Sequence, residues 1–268
     1  MSVVIVIPAR YGSTRFPGKP LAPILGKTLL QRTWLIAKAV KGADSVLIAT
    51  DDDRICQHAL SFGAEVQMTP TNCTNGTERC LSALSLRKLK PEIVINLQGD
   101  AVLTPPAVIE PLIAALTTNP DIEIATPATR LSLDAYEKLA QQKASGQAGG
   151  TLVTFDSKGK ALYFSKSIIP FVRDLKDCRD NRVPLPVFRH IGLYGYRFEA
   201  LSRLASLSAT PLEKAEGLEQ LRALENGMHI QVVQVDYKGR THWSVDSPED
   251  AELVKNIILA EGELLAAV

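Results

Sequence analysis

An α/β fold is predicted, with three layers in which a mostly parallel sheet lies between helices. Short aliphatic runs of strand length alternate with helix-spaced stretches through the first half of the chain. Those runs are continuous rather than alternating, the pattern of strands buried on both faces. Polar clusters follow the runs, where sheets of this kind bind ligands.

The elements follow in order. Residues 3–8 are a β-branched run and read as the first buried strand. A Gly/Pro/Ser loop spans 9–27, and residues 29–40 have helical spacing. Strands at 45–49, 64–68, 92–97 and 122–126 alternate with helices at 54–62, 77–88 and 105–116. The second half is less regular. After a glycine-rich break at 146–150, strands at 152–155 and 161–164 flank Asp156-Ser157-Lys158-Gly159, a hairpin pattern. Residues 174–186 are charged and contain proline, as an exposed loop does. Thr210-Pro211-Leu212-Glu213 is a capping box with Pro at the first helical position. Its helix is expected to run to Glu225 and stop at Asn226-Gly227. A strand at 230–235 follows, and Ser247-Pro248-Glu249-Asp250 opens the last helix in the same way.

Composition narrows the function. The chain has 268 residues, 46% of them apolar, which excludes disorder and supplies a sizeable core. Its 30 basic and 29 acidic residues leave a net charge of +1, which argues against nucleic-acid and membrane-surface partners. The balance hides a segregation. Residues 1–43 contain seven Lys and Arg and no acid, while residues from Asp246 onward hold six acids against Lys255 alone. No apolar run reaches the roughly 18–20 residues of a membrane span. The first strand has no basic flank of a signal peptide, so a cytoplasmic location is expected. Four cysteines form no CxxC pair, as in reduced thiols rather than a zinc site.

The loop after the first strand carries the chemistry. It reads Ala9-Arg10-Tyr11-Gly12-Ser13-Thr14-Arg15-Phe16-Pro17-Gly18-Lys19-Pro20. Gly12 and Gly18 let backbone approach a ligand. Ser13 and Thr14 add hydroxyl donors, and Arg10, Arg15 and Lys19 add charge with no carboxylate nearby. Such a loop suits a triphosphate. It matches neither the P-loop nor the GxGxxG pattern.

This segment resembles the N-terminal signature of the sugar-activating cytidylyltransferases, closest to the 3-deoxy-manno-octulosonate (Kdo) cytidylyltransferases. Further matches run in register along essentially the whole chain. They include Ala49-Thr50-Asp51-Asp52, Gly76-Thr77-Glu78-Arg79, Asn96-Leu97-Gln98-Gly99-Asp100 and Ala161-Leu162-Tyr163-Phe164-Ser165. Later come Arg189-His190-Ile191-Gly192-Leu193-Tyr194-Gly195-Tyr196, then Leu218-Glu219-Gln220-Leu221-Arg222 and Val245-Asp246-Ser247-Pro248-Glu249-Asp250.

The resemblance implies a Rossmann-like nucleotidyltransferase fold over residues 1–268, with an inserted sugar-binding and dimerisation subdomain at about 150–200. It implies transfer of CMP from CTP to the anomeric hydroxyl of Kdo, with loss of pyrophosphate, for lipopolysaccharide synthesis by a homodimer. Both substrates are anions, so magnesium is the expected cofactor, with Asp100 and Asp246 as its ligands. Arg10 and Lys19 join these two as catalytic groups that neutralise the phosphates. Nucleotide contacts are expected from Ala9, Arg10, Gly12, Ser13, Lys19, Asn75, Gly76 and Gln98. Cations for the sugar carboxylate are sought in Lys166, Arg173 and His190, and sugar hydroxyl contacts in Tyr194, Glu219 and Gln220.

The pattern is broken at four places. QGDEP becomes Gln98-Gly99-Asp100-Ala101-Val102, and SGT becomes Asn75-Gly76-Thr77. The Arg after Tyr-Phe-Ser is Lys166, which lacks the bidentate fork, and a strand lysine is replaced by Leu152. These changes leave open a modified acidic sugar, such as 8-amino-Kdo, or a non-catalytic CTP-binding paralogue. A glycosyltransferase is the enzyme rival, since Asp51-Asp52 resembles an acidic metal turn.

Overall fold

The computed structural model describes residues 1–12, 15–146, 149–180 and 182–265. The chain opens with β1 (Val3–Ala9), a 3-10 turn (Lys19–Leu21), and the short strands β2 (Pro23–Ile24) and β3 (Lys27–Thr28). Leu25 and Gly26 join the last two, both at positive φ (49° and 79°), as a tight hairpin requires. Then come α1 (Leu29–Lys38), β4 (Ser45–Thr50), α2 (Asp53–Ser61), β5 (Glu65–Met68), α3 (Gly76–Leu86), β6 (Ile93–Asn96), α4 (Pro106–Thr118) and β7 (Ile124–Arg130). Side-chain caps start α1, α2 and α3, with Thr28, Asp52 and Asn75 accepting first-turn N–H bonds. The second half contributes α5 (Leu133–Ala144), β8 (Leu152–Phe155), β9 (Ala161–Ser165), α6 (Leu175–Arg179), β10 (Phe188–His190) and β11 (Tyr194–Arg197). It ends with α7 (Phe198–Ser206), α8 (Pro211–Glu216), α9 (Gln220–Glu225), β12 (Ile230–Gln234) and α10 (Pro248–Glu261).

Ten strands form one sheet in the order β5-β4-β1-β6-β11-β7-β10-β8-β9, with β12 on the other edge of β7. The first part is parallel, as the β/α alternation predicts: β1 pairs β4 and β6, and β4 pairs β5. β12 also runs parallel to β7. β11 enters antiparallel between β6 and β7, and β10 continues that line against β7 and β8. β1 is buried throughout. Its residues Val3, Ile5 and Ile7 pack with α1, α2 and α4 on one face. Val4 and Val6 pack with α3, α7 and α9 on the other. The three expected layers are therefore present.

A third apolar cluster positions the site. Ile24 and Leu29 meet Val102 and Leu103 from the turn after β6, and Val245, Val254 and Ile258 from the C-terminal segment. Buried Arg32 reinforces this junction, bonding the Ile24 carbonyl (2.9 and 2.7 Å) and Glu263 (2.8 Å). The C-terminal end thus folds back over the first loop. A fourth cluster joins α5, β8 and the segment leading into β10 through Leu139, Leu152, Cys178, Leu185 and Val187.

Several elements differ from expectation. The helix expected from the Thr210 capping box to Glu225 is two helices, because Gly217 adopts φ 62° and caps α8. The loop expected at 174–186 carries α6, whose Cys178 is buried. The loop at 9–27 contains the 3-10 turn and β2. Among the described residues, no helix is long and apolar enough to cross a membrane.

β11 fits under α4 only because Gly195 has no side chain. A Cβ there would lie 2.7 Å from Leu116 Cδ1 and 3.0 Å from Ile95 Cδ1. Gly195→Val is expected to lower stability by about 1–3 kcal/mol through overpacking, read as a fall in the urea midpoint at unchanged slope.

Candidate active site

The carboxyl ends of β1 and β6 and the start of α3 open into a cleft of about 360 Å³. Ala9, Arg10, Arg15 and Lys19 line one side, Asn75, Gly76 and Gln98 another, and Asp100 and Asp246 the rim. Gly18, at φ 71°, turns the loop so that its N–H donates to the Tyr11 carbonyl (2.9 Å). Any Cβ there would sit 3.0 Å from the Tyr11 ring. That turn delivers Lys19 to the cleft.

Lys19 Nζ donates to Asp100 Oδ2 (2.7 Å) and to the Val245 carbonyl (2.8 Å), and lies 3.7 Å from Asp246 Oδ1. Arg15 reaches the same Asp246 oxygen at 3.2 Å. Two carboxylates therefore converge on one cation. Their oxygens are hard donors of the kind magnesium prefers, and the residues fit such an ion. Among the described residues there is no cluster of three or more ligating side chains, so such an ion would be held by these two carboxylates together with substrate or water oxygens.

The opposite wall is shaped for close approach. A Cβ on Gly76 would lie 3.0 Å from Gln98 Nε2 and 3.2 Å from the Pro8 ring. The Gln98 amide donates to buried Asn96 Oδ1 (2.8 Å), which fixes its orientation. Asn75 caps α3 by accepting from the Glu78 N–H (2.8 Å). Arg10 is exposed in the cleft. Gly12 is exposed and does not line it, and Ser13 lies outside the described residues.

The rival metal turn is occupied by structural bonds. Buried Arg79 donates to Asp51 Oδ2 (2.7 Å) and to Thr69 Oγ1 (2.6 Å). Asp52 caps α2 and pairs with Arg54 (2.7 Å), whose hydrogen bond lowers the carboxyl pKa.

A second cleft, of about 570 Å³, adjoins the first and shares Asp246 with it. Arg189, His190, Tyr194, Gln220, His242 and Trp243 line it. His190 is not the cation expected. It is 7% exposed, its Nε2 lies 2.8 Å from Thr126 Oγ1, and burial pushes its pKa down to about 3. It offers this cleft a neutral ring. Glu219 does not line this cleft either. It accepts from Thr77 Oγ1 (3.0 Å) beneath Tyr194 and Tyr196, and burial raises its pKa. Neither Lys166 nor Arg173 is among the described residues that line the two clefts. Lys166 follows β9, with its backbone N–H held by Glu216 (2.8 Å), and Arg173 is exposed. The cation that the second cleft does contain is Arg189, which sequence reasoning left unassigned although it stands beside His190 in a quoted match.

His190 carries a pH signature. It stays neutral in the folded chain down to about pH 3, while the unfolded chain binds a proton below about 6.5. Its contribution is therefore complete above that value and is lost as pH falls through the window between. We expect its ring NMR signals to stay fixed between about pH 7.5 and 5. A titration step near 6.5 in the folded protein would contradict the burial.

Comparison with known proteins gives the family and the fold. The sequence model of a family described as Cytidylyltransferase matches residues 4–230. The 3-deoxy-manno-octulosonate cytidylyltransferase of Maricaulis maris (strain MCS10) is 51% identical over 265 residues, covering 99% of this chain and 100% of that one. The enzyme of the same name from Chlamydia trachomatis serovar L2 is 42% identical over 254 residues, covering 95% and 93%. A solved CMP:2-keto-3-deoxy-manno-octonic acid synthetase complexed with CTP superposes with a TM-score of 0.84 at 33% identity, covering 97% of this chain and 100% of that one. The family match over most of the chain and the similarity to these enzymes along nearly their full length show that the chain belongs to the cytidylyltransferase family of nucleotidyltransferases, among the 3-deoxy-manno-octulosonate cytidylyltransferases.

Proposed function

We propose that the chain transfers CMP from CTP to the anomeric hydroxyl of Kdo, releasing pyrophosphate, with magnesium as its metal. The observation that carries this reading is the junction of two clefts at Asp246. One cleft is cationic and narrow-walled, as a triphosphate requires. The other is lined by aromatic and amide groups, as a sugar requires.

In this reading Arg10, Arg15 and Lys19 neutralise the triphosphate and stabilise the departing pyrophosphate. Asn75, Gly76 and Gln98 receive the nucleotide, where the missing side chain of Gly76 lets the ligand lie against the Gln98 amide. Asp100 and Asp246 hold the metal. When bound, magnesium draws charge from the phosphate oxygens so that a second anion can approach. Tyr194 and Gln220 orient the sugar, with neutral His190 as a hydrogen-bonding partner. The sugar hydroxyl oxygen bonds to the α-phosphorus, the bond to the bridging oxygen of pyrophosphate breaks, and the hydroxyl proton is released. We further propose that the second half carries a homodimer interface, since Phe171 and Leu162 there are 89% and 60% exposed.

Pyrophosphate release from CTP, magnesium and a panel of acidic sugars tests the reaction. Kdo is expected to give turnover, and Asp100→Asn to lower kcat by about 100- to 1,000-fold. No release with any acidic sugar would overturn the reading, and full activity of Asp100→Asn would overturn the metal assignment.

A further inference from the structure

Arg189 is half-buried and differs from the three buried arginines. Arg32 closes on Glu263, Arg79 on Asp51, and Arg222 on Glu213. Arg189 has no ion-pair partner among the described residues, and its buried Nε has no hydrogen bond. Its neighbour in register on β8 is Leu152, fully buried and apolar, and on β7 it is Thr129. A half-buried guanidinium stays charged, and leaving it unpaired in a low-dielectric wall is costly. Its open side faces the second cleft, which Asp246 joins to the phosphate site.

The rim beside it is also cationic. Lys143 Nζ donates to the carbonyls of Gly149 and Gly150, the latter at 3.1 Å, and both glycines line the cleft. Gly150, at φ 74°, has its Cβ direction 3.8 Å from Arg189 Nη2, so bare backbone covers the guanidinium. Burial, together with Lys166 and Arg189, lowers the Lys143 pKa, which places these cations within electrostatic range.

We propose that Arg189 anchors the carboxylate of the sugar acid, pairing with it inside the second cleft while Lys143 on the glycine rim serves as the supporting cation. The assignment rests on the cytidylyltransferase reading above and names the residue that selects an acidic sugar. In a 2-keto sugar acid the carboxyl carbon is bonded to the anomeric carbon. A bidentate guanidinium pair therefore fixes the direction in which the attacking hydroxyl points.

The test uses the full chain and two unreactive 2-deoxy-Kdo ligands, the free acid and its C1 amide, whose affinities are measured by calorimetric titration. The parent is expected to bind the acid more tightly than the amide. Arg189→Gln should bring that ratio close to one and raise KM for Kdo roughly 30-fold or more, with KM for CTP within about twofold of the parent, which also reports an intact fold. Arg189→Lys should restore part of the acid preference. A parent-like acid-to-amide ratio in Arg189→Gln would overturn the assignment. Should Arg189→Gln not fold, Arg189→Lys decides, because loss of the bidentate fork must lower the ratio and an unchanged ratio overturns the assignment. Absence of turnover by the parent would overturn the substrate reading instead, while the binding ratio still decides Arg189.

Discussion

One ammonium group ties the molecule's working parts together. Lys19 Nζ touches Asp100 from the end of β6, and the Val245 carbonyl and Asp246 carboxylate from the C-terminal segment. Each contact joins the first loop to chain far away in sequence. Without the cation, two carboxylates would stand together at the cleft rim with less opposing charge, which is electrostatically unfavourable. With it, both are held against one ammonium group. The basic opening and acidic close of the sequence are in this sense two halves of one electrostatic device.

The sheet explains why the device sits where it does. Parallel strands end together, so the loops after β1 and β6 converge without any local signal telling them to. The apolar cluster of Ile24, Leu29, Val102, Val245 and Val254 then presses the C-terminal segment onto the first loop. Division of labour follows. Asp51 and Asp52 stand at a strand end as well, but Arg79 and the α2 cap consume them. Which acids remain available is decided by their partners, not by their position in the sheet.

Local pattern made the parallel half legible, because its buried strands are continuous aliphatic runs and Thr28, Asp52 and Asn75 cap α1, α2 and α3. The first cleft was legible for the same reason: loops at strand ends can be read directly. The antiparallel line of β10 and β11 was not, since its place between β6 and β7 is a matter of long-range pairing. The break at Gly217 was hidden because a capping box marks where a helix starts and says nothing of where it ends. α5 was not read from the sequence, and it is mostly polar, with Leu139 as its buried residue. The charges of the second cleft were the hardest part. His190 loses its charge through burial, and Arg189 is conspicuous only for the partner it lacks. Both are properties of the folded surroundings.

The Lys19 contact with Val245 spans 226 residues. During synthesis, the phosphate-facing loop therefore exists long before the carbonyl and carboxylate that complete its cation site. A chain still lacking this segment can bury β1 and display Arg10, Arg15 and Lys19, but it has only one of the two acids. Assembly of the cleft is in this way a late checkpoint on the polypeptide itself: its rim is complete only with the last long-range contact, and an unfinished or locally frayed copy is left without the second carboxylate on Lys19.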